Sequence, residues 1–155
     1  MHSYDVMVDW TGNDGVGTRS YREYRRDHTI TVDGKPEIPG SSDPNFSGDR
    51  SRFNPEELLV ASLSACHMLW YLHLCSVNHV TVLEYRDCAQ GWMEEDAAGA
   101  GQFASVLLRP VVRIATGDLA KARDLHEEAH GYCFIARSVN FAVKIAAEVL
   151  EESPL

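Results

Sequence analysis

From Leu58 to Val77 the chain runs for 20 residues without an Asp, Glu, Lys or Arg. A stretch of that length is either a membrane span or the helix around which a domain is built. Ser62, Ser64, Ser76, His67 and His73 interrupt it, Glu56 and Glu57 precede it, and no second such run exists in the 155 residues. A span would bear a free-energy cost for those polar groups, so the run is read as a central core helix rather than a membrane segment. Its start is written locally. Asn54 is a good N-cap, Pro55 fits the first helical position, and Glu57 stands three residues after the cap as the second half of a capping box. The helix is expected over about Pro55 to Ser76.

The surroundings of that helix fix the class. With 45% apolar and 24% charged residues the chain has the means to build a core. Tyr4 to Trp10 reads as a strand, Gly12 to Gly17 as a turn, and Thr18 to Val32 as a β-type run that would close a first hairpin. Gly34 to Asn54 is rich in Gly, Pro, Ser, Asp and Asn and reads as a long loop, a candidate wall of a site. After the helix, Val80 to Met93 and Phe103 to Ala115 are expected to pair as a hairpin, with Pro110 marking an edge or bulge. Thr116 or Asp118 caps a helix through about Tyr132. Cys133 to Val139 is a short helical piece, and Phe141, Val143 and Ile145 alternate into a last strand. There is no internal repeat. The expectation is a single α+β domain over 1–155, with antiparallel sheets packed on a long buried central helix.

Charge excludes two classes of partner. Fourteen Lys and Arg against 23 Asp and Glu leave a net charge of −9, which repels phosphate backbones and anionic lipid headgroups, so neither nucleic acid nor membrane is expected as a partner. The opening MHSYDVMVDW lacks the basic and apolar regions of a secretory signal, which points to the cytoplasm and to reduced thiols for Cys66, Cys75, Cys88 and Cys133.

Two of those thiols have chemical company. Cys66 shares a helical face with Ser62 and Trp70, so it lies between a hydroxyl and a large apolar plane that could floor an apolar pocket. Cys133 follows AHGY at a break between helices, where backbone N–H groups can lower a thiol pKa, and His130 is near enough in sequence to orient it. Cys75 and Cys88 read as structural. His126-Glu127-Glu128-Ala129-His130 matches H-E-x-x-H, the zinc metalloprotease pattern with Glu127 as base, but the extension that would add a third histidine is absent, the chain continuing GYCFIARSV, and Glu148 or Glu151 would serve only if the last strand were helical. Neither a metal nor another cofactor is therefore expected. Glu56 stands ten positions before Cys66, about 15 Å along one straight helix. Any action on that thiol must go through an arginine or from a second subunit.

NPEELLVASLSACHMLWYL around Cys66, taken with AHGYCFIARSVNFAVKI around Cys133, resembles the OsmC/Ohr (organic hydroperoxide resistance) family of thiol peroxidases. The order of elements matches over most of the chain. The resemblance implies an OsmC-like fold in an intertwined homodimer with its sites at the subunit interface. It implies that Cys66 attacks an organic hydroperoxide, that Cys133 closes a disulfide with it, that Glu56 and an arginine assist, and that a dithiol reductant restores the pair. Of Arg19, Arg22, Arg25, Arg26, Arg50 and Arg52, Arg26 is favoured for that role and Arg52 comes next. The family often has Cys-Pro at the second cysteine, whereas Phe134 follows Cys133 here. The alternatives to a peroxidase are a non-catalytic redox sensor or apolar-ligand binder of the same fold and, behind it, a zinc hydrolase using HEEAH.

Overall fold

In a computed structural model, residues Met1–Glu152 are described. The chain forms two compact units, Met1–Leu59 and a second beginning at Val60. The first holds a three-stranded antiparallel sheet of β1 (Met7–Trp10), β2 (His28–Thr31) and β3 (Ile38–Gly40). The expected strand from Thr18 is shorter than its composition indicates, because Thr18 to Asp27 turns back on itself. Arg25 pairs with Asp14 at 3.0 Å and also with Asp27, and the Trp10 indole N–H donates to the Arg25 carbonyl at 2.8 Å. The loop after it is also more ordered than expected: β3 and a short 3-10 turn at Pro44–Phe46 lie within it.

The central helix, α1, spans Pro55–Val77. Its capping box is closed as the sequence predicts: the Glu57 N–H donates to Asn54 Oδ1 at 2.8 Å, and the Asn54 N–H donates to Glu57 Oε2 at 3.2 Å. The helix stops where His79 takes a left-handed φ of 59°, letting the Val80 N–H reach back to the Cys75 carbonyl at 2.9 Å. By length and composition α1 could cross a membrane. Within this chain it is covered along one stripe, Leu63, His67, Tyr71, Leu74 and Cys75, and not on every face as its composition implies. Ala61, Ala65, Leu69 and Val77 remain exposed.

The second unit carries two further sheets. The expected hairpin forms, but each arm breaks in the middle. β4 (Thr81–Asp87) pairs with β7 (Pro110–Thr116), and β5 (Gln90–Glu95) pairs with β6 (Gly101–Leu108). Each half then gains a parallel strand, β8 (Ala142–Ile145) beside β6 and β9 (Glu148–Glu151) beside β7. The sheet orders are β4-β7-β9 and β5-β6-β8. The antiparallel sheets expected are present, and β8 and β9 each add a parallel pair to them. The second helix, α2 (Leu119–Tyr132), is capped by Asp118, whose carboxylate accepts from the Lys121 N–H at 2.7 Å. Gly117 precedes that cap with φ +118°, and a Cβ there would meet Val80 Cα at 2.8 Å, so the turn needs glycine.

Two apolar clusters hold this unit together. Tyr71, Leu74 and Cys75 of α1 pack with Val112 and Ile114 of β7, Val149 of β9, and Ala122, Leu125 and Ala129 of α2. Leu63 of α1 packs with Val106 and Leu108 of β6. The alternation of β7, with Val112 and Ile114 inward and Val111 and Arg113 outward, is what lets one face bury while the other stays wet.

Candidate active site

Cys66 lies on α1, one residue before the buried stripe passes through His67, and is half-buried. Cys133 is the C-cap of α2 and is buried at 1% exposure. The fold brings these two thiols into hydrogen-bond reach of each other. Burial, and then the hydrogen bond with Cys66, pushes the Cys133 thiol up to about 11. The amides of Ala136 and Ile135 pull the other way but do not win; the Ala136 N–H approaches Cys133 Sγ at 3.4 Å. Backbone N–H groups do reach the sulfur at this helix break, but the net shift of this thiol is upward, against the lowering its sequence context implies, because desolvation outweighs them. Cys75 is buried and its thiol is raised by burial, while Cys88 is exposed.

Behind Cys66 stands a polar cluster that sequence reasoning did not assemble. His67 Nε2 and His126 Nδ1 are 3.0 Å apart, and their rings are 1% and 4% exposed. His126 stacks on Tyr71 with centroids 3.8 Å apart, and the Tyr71 hydroxyl donates to the Ala122 carbonyl at 3.0 Å. Burial lowers His67 to about 4, against an opposing pull from Asp87, and lowers His126 to about 3, helped by His67. Asp87 is itself held by the Ser64 hydroxyl at 2.6 Å and the Arg109 N–H at 2.7 Å. His67 Nδ1, His126 Nε2 and His130 Nδ1 are buried without a hydrogen-bond partner among the described residues.

This arrangement bears on the HEEAH pattern. His126 turns inward and spends its Nδ1 on His67, while Glu127 is exposed. Among the described residues, no three His, Cys, Asp or Glu side chains are grouped to hold a metal ion. The one signal available in sequence for the imidazole pair was this same motif, read for zinc instead of for a core contact.

An aromatic group adjoins the thiols. Trp70, one turn after Cys66, stacks on Tyr132 at 5.0 Å and meets Phe134 edge to face at 5.5 Å. Tyr132 and Phe134 are the chain neighbours of Cys133. Helical spacing alone places Trp70 beside Cys66, whereas the proximity of Tyr132 and Phe134 depends on where α2 ends.

The remaining candidates are described within the first unit. Glu56 lies in the first turn of α1 and its Oε2 is buried without a hydrogen-bond partner among the described residues. The Arg26 guanidinium sits between the rings of Tyr21 and Tyr24, at 4.3 and 4.1 Å from their centroids, and donates to both residues' carbonyls at 2.7 and 2.6 Å. It lines a shallow hollow of about 360 Å³ with Trp10, His28 and Pro55. Arg52 is otherwise engaged: its Nε is 3.7 Å from buried Asp27 and 3.9 Å from Asp49, and Nη1 donates to the His28 carbonyl at 3.3 Å.

The fold is shared with known proteins. The OsmC-like protein family model matches residues 48–148, more than half of the chain. An OsmC-like protein of unknown function from Vibrio cholerae superposes with a TM-score of 0.85 at 30% identity, covering 95% of this chain and 99% of its own. An organic hydroperoxide resistance protein from Elizabethkingia anophelis gives 0.68 at 16% identity, with 98% of each chain covered. The organic hydroperoxide resistance protein OhrB of Bacillus subtilis gives 0.61 at 20% identity, covering 96% of this chain and 98% of its own. No curated protein matches the chain in sequence. The family match over residues 48–148, with near-complete coverage at 30% identity in the Vibrio cholerae structure, places this chain in the OsmC family.

Proposed function

We propose that the chain is a thiol peroxidase that reduces organic hydroperoxides through Cys66 and Cys133. The observation that carries this reading is a pair of unlike thiols in contact, one half-buried on α1 and the other buried and held protonated near neutral pH. A protonated Cys133 can donate its S–H to the Cys66 sulfur, which keeps the two sulfurs in reach of each other. Cys66, reacting as the thiolate, attacks the distal peroxide oxygen. The O–O bond breaks, and the alkoxide takes up a proton and leaves as the alcohol, with Cys66 now a sulfenic acid. The Cys133 sulfur then attacks Cys66, the S–O bond breaks, and water leaves as the disulfide forms. A dithiol reductant returns both residues to thiols, so that one hydroperoxide and one dithiol become one alcohol, one water and one disulfide.

Glu56 and an arginine are proposed to assist from the other subunit of a homodimer. Uncovered apolar surface supports the dimer. Leu69 and Val77 on α1, and Met7, Val8 and Trp10 on β1, are all more than 40% exposed. The unpartnered Glu56 Oε2 supports a role for that carboxylate, since a buried oxygen left without a donor is costly. Arg26 is preferred because it lines a hollow beside the start of α1 and its guanidinium, held by the Tyr21 and Tyr24 carbonyls, pairs with no carboxylate among the described residues, whereas Arg52 faces Asp27 and Asp49.

The test is consumption of an organic hydroperoxide with a dithiol reductant by wild type and by Cys66→Ser, beside metal analysis of the purified protein. Turnover lost in Cys66→Ser with no stoichiometric zinc is expected. Peroxide left unconsumed by the wild type points to the sensor or ligand-binding alternative, and stoichiometric zinc to the hydrolase.

A further inference from the structure

We infer that Trp70, Tyr132 and Phe134 form an aromatic wall that selects hydroperoxides carrying an aryl group on the peroxide-bearing carbon. The inference rests on the peroxidase reading and adds the substrate class. Cys66 and Trp70 are one helical turn apart on the same face of α1, which puts the ring beside the sulfur that attacks the hydroperoxide. Cys133 is in contact with Cys66, and its two chain neighbours are the residues that hold Trp70, Tyr132 face to face and Phe134 edge to face. The thiols and the rings therefore follow one another along a single seam between α1 and the end of α2.

The wall is open. Phe134 is 65% exposed and Tyr132 50% exposed, so each presents ring surface that the chain leaves uncovered. A flat aryl group can stack on or meet these rings edge-on, an attraction that a branched alkyl group of similar bulk does not have. Phe134 supplies one of the three rings from the position where the family often has proline, which has none. The occupant that fits both the reactive sulfur and the ring faces is thus the organic portion of the hydroperoxide itself.

Cumene hydroperoxide and tert-butyl hydroperoxide differ only by a phenyl in place of a methyl on the peroxide-bearing carbon, so their ratio of kcat/KM reports what that group contributes, and the change of the ratio in the ring variants reports the wall's share. Wild type is expected to favour cumene hydroperoxide by at least about tenfold. Phe134→Ala, and separately Trp70→Ala, should lower that ratio about three- to tenfold, and Phe134→Tyr should keep it. A wild-type ratio near one, or equal slowing of both substrates in Phe134→Ala, would overturn the inference. So would a Phe134→Ala chain that changes oligomeric mass with its ratio intact, since the wall would then be covered by a second copy. A binding arm separates this failure from that of the peroxidase reading. In Cys66→Ser, ligand-observed NMR should detect 2-phenyl-2-propanol but not tert-butanol, with the signal lost on adding Phe134→Ala. If no peroxide is consumed yet that selective binding holds, the wall stands and the peroxidase reading falls. If the aryl alcohol is not bound, the wall falls.

Discussion

Acidification from pH 7.5 to 5.0 should destabilise the fold by an amount that the buried imidazole pair sets. His67 and His126 are almost wholly enclosed, and their folded pKa values of about 4 and about 3 lie below the value near 6.5 of an unfolded histidine. The groups around them are Asp87, which raises His67, and His130, which lowers it, with Tyr71 stacked on His126. Above pH 6.5 both states are neutral and the pair's full stabilising share is present. As pH falls below 6.5 the unfolded chain takes up two protons that the folded chain refuses, so stability falls until the folded pKa values are reached. At pH 5.0 each imidazole accounts for about 1.5 pH units at 1.36 kcal/mol per unit, about 2 kcal/mol, and the pair for about 4 kcal/mol. Carboxylates held low by their partners, such as Asp14 by Arg25 and Asp49 by Ser51, change protonation below this window. Urea unfolding followed by circular dichroism, at fixed protein concentration with reductant, measures the loss at 7.5, 6.5, 5.5 and 5.0. The double variant His67→Gln with His126→Gln should start less stable but lose about 4 kcal/mol less over the same range. A wild type that loses under about 1 kcal/mol, or a double variant with the same pH slope, would refute the reasoning.

Further outcomes follow from the same structure. Cys133→Ser should still be oxidised at Cys66, but with no neighbouring thiol to close on the sulfenic acid it should gain two or three oxygens under excess peroxide, read by mass spectrometry. Light scattering should give about twice the mass of 17.3 kDa, and co-refolded Cys66→Ser and Glu56→Ala chains should exceed either parent in activity if sites are shared across subunits; a fully active monomer would end the dimer proposal. Asn54→Ala removes the side-chain half of the α1 capping box and should lower stability by about 1 kcal/mol in urea unfolding, and an unchanged midpoint would show that the cap adds nothing.

What the sequence determined by itself was whatever is written locally. The charge-free run, Asn54, Pro55 and Glu57 specify α1 and its first turn, because capping and helix periodicity act over three or four residues. Asp118 likewise announces α2, and the NPEEL and AHGYC runs were sufficient to point to the family. Tertiary structure decided what depends on contacts between distant segments. The long hairpin breaks near Cys88 and Arg109, and β8 and β9 arrive from the far end of the chain to pair in parallel with its two halves. β9 itself, four residues long, carries too little pattern to be read alone. His126 looked like half of a zinc motif until its Nδ1 was seen on His67, 59 positions away. The high pKa of Cys133 has the same origin. Its amide neighbours are local and visible in sequence, but the burial that outweighs them, and the contact with Cys66, arise only when α1 and the end of α2 pack together.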